Sequence, residues 1–379
     1  MKRIYLDYAA TTPVDPEVAK AMIPFLREKY GNPSSMHSMG LEAKQAVDEA
    51  RESIAHFLNC DISEIIFTGN GTESNNIAIL GTARANKNKG THLITSKIEH
   101  KSVLNTFKHL EKEGFSVTYI DVDKEGVIDI DKFKSAITPE TILTSIHYAN
   151  NEIGTIQLIK EICEICKDQN VLFHTDACQA AGTLSIDVQD IKLDLMTLNA
   201  SKVYGPKGIG ALFIKEGTHI EPITFGGGQE NNLKSGTHNT PGIIGFAKAL
   251  ELAEKTKDEE NKRLTSLRDT LIKKTLEAFP SAKLNGHPSQ RLPNNINISF
   301  PKIEGKELLL HLDNEGIMVS TGSACESEKE SISHVLKAIG LNEEEASGSI
   351  RISLGKYTTE EDIDYTLEKL IEIVNHLSS

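Results

Sequence analysis

Leu193-Asp194-Leu195-Met196-Thr197-Leu198-Asn199-Ala200-Ser201-Lys202-Val203-Tyr204-Gly205-Pro206-Lys207-Gly208 is an apolar run that stops at a polar turn carrying a lysine. Residues 193–198 read as a buried strand, and Gly205-Pro206 turns the chain sharply after it. Lys202 therefore stands at the end of a core strand, where an ammonium is unfavourable unless it has a partner or a task. One reading is a surface lysine after a strand. The other is a nucleophilic amine, its proton affinity lowered by its surroundings, that forms a Schiff base with a carbonyl cofactor.

Working outward, the same short apolar runs recur at 64–67, 93–95, 116–120, 142–147, 172–175 and 211–214, with helical patterns such as 102–113 and 158–168 between them. That alternation predicts an α/β fold, a mostly parallel seven-stranded sheet covered by helices, with ligands at the carboxyl ends of the strands. The charge-rich stretch 254–260 reads as a solvated helix face where the chain leaves this first domain. Beyond it, strands near 295–300 and 351–354 and a last helix at 359–377 predict a smaller α+β domain.

Val171-Leu172-Phe173-His174-Thr175-Asp176-Ala177 is a second run ending in a charge. Pyridoxal phosphate enzymes need a carboxylate against the pyridine nitrogen to make the ring an electron sink, and one short connection separates Asp176 from Lys202. The alternative role for Asp176 is a helix N-cap. A phosphate has a candidate home in Thr68-Gly69-Asn70-Gly71-Thr72-Glu73-Ser74-Asn75-Asn76, a glycine turn between a short strand and a helix, with Thr72 adding a hydroxyl.

With these parts in this order, the chain resembles the fold-type I pyridoxal phosphate enzymes, specifically the NifS/IscS branch of the cysteine desulfurases. Ordered blocks carry the likeness: Tyr5-Leu6-Asp7-Tyr8-Ala9-Ala10-Thr11-Thr12-Pro13, Gly31-Asn32-Pro33-Ser34-Ser35, Glu99-His100, Asn150-Asn151-Glu152-Ile153-Gly154, Gly226-Gly227-Gly228-Gln229-Glu230, Thr321-Gly322-Ser323-Ala324-Cys325 and Arg351-Ile352-Ser353-Leu354-Gly355. The resemblance implies a large domain over 15–255 and a small one formed by 1–14 with 256–379. It implies catalytic roles for Cys325, Lys202 and His100, with L-cysteine as substrate and Arg351 and Asn151 binding it. Cofactor contacts fall on Gly71, Thr72, His100, Asn151, Asp176, Gln179, Asn199, Ser201 and Lys202, with Thr237 reaching the phosphate of the other subunit of a homodimer. It implies sulfur passed as a Cys325 persulfide to an iron–sulfur scaffold or a tRNA-thiolating enzyme, and no resident metal, Cys325 serving at most as a transient cluster ligand. A selenocysteine lyase, another enzyme of this cofactor class, and a degenerate sulfur-transfer partner are the rival readings.

The chain departs from the family pattern at the cofactor anchor. Asn199-Ala200-Ser201 stands where Ser-x-His is usual, Gly69-Asn70-Gly71 where Ser-Gly-Ala or Ser-Gly-Gly is common, and Lys234 where an arginine is usual. Lys202 and Cys325 are unchanged. Cys325 lies in the small, polar run 320–331, which reads as an exposed loop, whereas Cys163 and Cys166 match C-x-x-C inside an amphipathic helix and read as core residues. Cys60 and Cys178 complete a set of five cysteines with no disulfide framework. A net charge of −13 over 379 residues argues against direct nucleic-acid binding. No apolar run reaches the length of a membrane span, and the expected location is cytoplasmic.

Overall fold

The computed structural model describes residues 2–322 and 332–378. After a two-residue strand, β1 (Ile4–Tyr5), the chain builds one sheet from β2 (Ile65–Thr68), β3 (His92–Ser96), β4 (Ser116–Ile120), β5 (Thr141–Ser145), β6 (Leu172–Asp176), β7 (Leu195–Asn199) and β8 (Gly210–Ile214). Their order across the sheet is β2-β8-β7-β6-β5-β3-β4. Only β8 runs against its neighbours; the other pairings are parallel. β2, β3, β5 and β8 are buried along their whole length, as a sheet covered on both faces requires. This is the mostly parallel seven-stranded sheet that the alternating pattern predicts.

Alternation along the strands fills two separate cores. Met196, Leu198, Phe173 and Phe213 face one side with Phe246, while Leu195, Leu212, Leu143 and Leu93 face the other with Phe107. β3 lies between β4 and β5, so the chain crosses from one side of β3 to the other. The carboxyl ends open a crevice where such a strand order reverses.

A third core forms around an antiparallel sheet of order β12-β10-β9, made of β9 (Lys283–Leu284), β10 (Asn295–Ser299) and β12 (Ser349–Ser353), with β11 (Ile317–Met318) pairing in parallel with β1. Ile4 and Leu6 thus pack with Ile296, Ile298, Phe300 and Ile352 rather than with the large sheet. The helix Thr240–Ala278 joins the cores without a break: Ile243 and Leu250 belong to the first cluster, Leu264 and Leu271 to the third. Its charged stretch 254–260 is the solvated middle of that helix.

Within the helix Gly305–Asn314, Leu308 is fully buried and Leu310 is 62% exposed. Leu308→Ala should therefore lose about 2–5 kcal/mol of unfolding free energy, and Leu310→Ala should stay within about 0.5 kcal/mol; urea denaturation of both variants checks the pair.

Candidate active site

β6 and β7 are hydrogen-bonded neighbours in register, Asp176 opposite Thr197, so the two apolar runs end side by side. Past β7, the Asn199 side-chain oxygen accepts the Ser201 N–H at 3.3 Å and opens a tight turn, Ala200–Lys202. Gly205 closes it: its N–H reaches the Ala200 carbonyl at 2.9 Å, and a Cβ there would lie 2.8 Å from the same oxygen. Lys202 is thereby aimed into a cavity of about 250 Å³ whose walls include Gly71, Thr72, His100, Asp176, Asn199 and Arg351. Its Nζ donates to the carbonyls of Ala9 and Ala10 at 2.8 and 2.6 Å. The N-terminal segment also holds the turn itself, Thr12 donating from N–H and hydroxyl to the Ser201 carbonyl at 2.9 and 3.1 Å.

Asp176 is buried, and both expected roles meet in it. Its Oδ1 accepts the Cys178 N–H at 3.0 Å, the local cap, while its Oδ2 accepts Asn75 Nδ2 at 2.7 Å. Burial alone would push the carboxyl up, but nearby His100 and the hydrogen bonds from Asn75 and Cys178 outweigh it and hold it below the usual carboxylate range. His100 caps the helix Lys101–Lys112, its Nδ1 lying 2.7 Å from Ser102 Oγ and accepting the Ser102 N–H at 3.1 Å. Burial lowers its pKa below that of free histidine, Asp176 opposing the effect, so the ring is neutral at neutral pH.

Arg351, on β12, brings the small sheet to the cavity. It is 1% exposed, with Nη2 2.7 Å from Asp7 Oδ1 and Nη1 donating to the Asn151 carbonyl at 3.2 Å. Asn151 and Gln179 both line the cavity, and Gln179 Nε2 donates to the Ala9 carbonyl at 3.0 Å.

At the other end, the glycine turn is narrower as an anion site than the sequence implies. The Gly69 N–H donates to the Glu73 carboxylate, and Asn70 caps the Glu73 N–H at 2.9 Å. Gly71 and Thr72 remain on the cavity wall. A Cβ on Gly71 would sit 2.7 Å from Cys178 Sγ, so glycine lets the backbone pass this close to that side chain without a shift. The Ser201 hydroxyl reaches Asn199 Oδ1 at 3.3 Å, and both residues line the cavity. Thr237 is exposed and lies outside it. Cys325 lies outside the described residues. Cys163 and Cys166 are buried core thiols, pushed up to about 12 by that burial, as the helical reading expects.

Several cavity residues escape sequence reasoning, among them Asn75, Ser102 and His147, the last sharing a buried contact with Glu99 at 3.2 Å. The donor set fits the cofactor that the family likeness implies. A buried carboxylate kept ionised suits a pyridine nitrogen, Lys202 shares its cavity, and Thr72, Asn199 and Ser201 are neutral donors grouped at the far end.

The class-V aminotransferase family profile matches residues 4–366. A cysteine desulfurase IscS from Clostridium botulinum is 53% identical over 375 residues, covering 98% of this chain and 94% of its own. The chain belongs to the cysteine desulfurases of the class-V aminotransferase family. Among solved structures, a NifS-like protein superposes with a TM-score of 0.94 at 40% identity, covering 99% of this chain and 100% of that one. A solved structure of SspA in complex with cysteine superposes with a TM-score of 0.82 at 39% identity, covering 94% of this chain and 100% of that one.

His174, two residues before Asp176 on the same face of β6, is fully buried between Ser145 and Thr197 hydroxyls, and burial pushes its pKa down to about 4. A folded pKa below the unfolded ~6.5 means that the unfolded chain binds the extra proton, so stability present above pH ~6.5 is lost as the pH falls toward 4. The loss from this group should be roughly 3 kcal/mol, and His174→Gln should remove that part of the slope in urea unfolding measured between pH 7 and pH 4.5.

Proposed function

We propose that this cysteine desulfurase takes the sulfur of L-cysteine with bound pyridoxal 5'-phosphate, releases L-alanine and retains the sulfur as a persulfide on Cys325. The observation that carries the reading is the convergence of Lys202 and Asp176, from the ends of adjacent strands, on one cavity shared with His100 and Arg351. Asp176 would hold the pyridine nitrogen, Asn151 and Gln179 the ring oxygen, and Gly71, Thr72, Asn199 and Ser201 the phosphate. When bound, the cofactor supplies the electron sink that lets the Cα–H and C–S bonds of cysteine break.

The chain's own residues do the rest. Asp7 and the Asn151 carbonyl fix the plane of the Arg351 guanidinium before substrate arrives, and that guanidinium grips the substrate carboxylate. Lys202, as the neutral amine and turned away from the Ala9 and Ala10 carbonyls, accepts the Cα proton at Nζ. His100, kept neutral by burial, passes protons around the bound substrate. The Cys325 thiolate attacks the substrate sulfur: an S–S bond forms as the Cβ–S bond breaks, and that electron pair, with a proton, stays on the three-carbon fragment that leaves as alanine.

We read 15–255 as the large domain and 1–14 with 256–379 as the small one, and the protein as a cytoplasmic homodimer that hands sulfur to an iron–sulfur scaffold or a tRNA-thiolating enzyme. That Thr237 is exposed and outside its own cavity supports reading it as a residue that serves the partner's phosphate. No helix among the described residues is long and apolar enough to cross a membrane.

Incubating purified protein with pyridoxal phosphate and L-cysteine should yield alanine and, by mass spectrometry, a 325-centred persulfide. Lys202→Ala should lose both together with the borohydride-reducible lysine link, whereas Lys207→Ala keeps them. Cys325→Ser should still bind cofactor and cysteine but form no persulfide; alanine at the wild-type rate from that variant would sink the assignment. In apo-protein titrations Thr237→Ala should weaken cofactor binding, by up to roughly a hundredfold for one charge-assisted hydrogen bond, and an unchanged affinity would remove Thr237 from the phosphate site.

A further inference from the structure

The Asp176 carboxylate can only accept hydrogen bonds, and this fixes the direction of every polar group behind it. Asn75 must turn its amide nitrogen, not its oxygen, to Asp176 Oδ2 at 2.7 Å. The second proton on that nitrogen goes to Ser102 Oγ at 2.8 Å. The Ser102 N–H donates to His100 Nδ1 at 3.1 Å, which makes Nδ1 an acceptor, so the Ser102 hydroxyl, 2.7 Å from it, turns its proton there and offers its lone pairs to Asn75. Two donors converge on Nδ1, so Nδ1 is the bare nitrogen and the neutral ring carries its proton on Nε2. Asn75 is 1% exposed and leaves its Oδ1 buried without a partner among the described residues. An unsatisfied buried carbonyl destabilises a fold, so stability alone does not account for an asparagine here.

We propose that Asn75 is a positioning residue of the desulfurase site: acting through Ser102, it holds His100 in the Nε2–H tautomer. The arrangement runs from a helix residue at 75, through the first turn of the helix Lys101–Lys112, to the ring that faces the cavity. It rests on the reading of that cavity given above, but its test does not depend on turnover.

NMR of the full chain labelled with ¹⁵N-histidine, His100 assigned by the signals lost in His100→Gln, reads the tautomer with or without pyridoxal phosphate. Wild type should show Nδ1 unprotonated. Asn75→Leu, similar in shape but without donors, and Ser102→Ala, which leaves the Asn75–Asp176 bond in place, should each shift His100 to a mixture of tautomers, while Ser102→Thr keeps the wild-type signals. In both disrupting variants kcat for L-cysteine should fall about tenfold with KM nearly unchanged. An Nδ1–H signal in wild type overturns the proposal, as does a bare Nδ1 persisting in either variant. If thermal unfolding shows that Asn75→Leu does not fold, Asn75→Ala takes its place. A wild-type protein inactive on cysteine but with the expected tautomer shifts would overturn the functional reading and leave this inference standing.

Discussion

An ionised carboxylate inside a protein must be met by charge or surrounded by donors, and Asp176 combines a nearby imidazole, His100, with direct hydrogen-bond donors. Its described partners, the Asn75 amide and the Cys178 N–H, are neutral. Each comes from a different part of the chain: one from the helix after β2, one from the turn after β6 itself. Among the described residues it is held by hydrogen bonds and not by a direct salt bridge. The parallel pairing of β6 and β7 then decides where the lysine stands, because two strands in register end at the same height.

The second constraint is closure. Residues 9–12 lie over the Lys202 turn and supply the carbonyls that hold its ammonium, while residues 4–5 pair with β11 and residues 7–8 reach β12 at Ser353. The Asp7–Arg351 ion pair sits at that seam, with the guanidinium fully buried. A buried pair of this kind adds little net stability over an apolar contact. Its value is geometric, since it holds a rigid fork at the mouth of the cavity.

What the sequence reveals follows from what is local. Asp176 and Lys202 are visible because each ends an apolar run, and the core role of Cys163 and Cys166 is visible because helical spacing places both on one face. β5 is expected to reach His147 but stops at Ser145, and the His147 N–H goes instead to a carboxylate at Glu99, 48 residues away. No periodicity encodes such a pairing. The same holds for Asn75 and Asp176, 101 residues apart, where the only local hint is an asparagine inside a helix that it does not favour. The Gly69 amide shows the opposite error: the glycine turn reads as an open anion nest until Glu73, one turn along, is seen to occupy part of it.

The helix Thr240–Ala278 has 39 residues and spans about 58 Å. Most multi-core enzymes join their parts by a tether that can be cut or regrafted. Here the joint is a continuous ladder of backbone hydrogen bonds, and severing it near residue 255 would expose four orphaned donors on one stump and four orphaned acceptors on the other. The two halves are therefore a single inheritance. Recombination at this seam would deliver neither part intact, and drift in one core has to be matched in the other through a shared beam rather than absorbed by a linker.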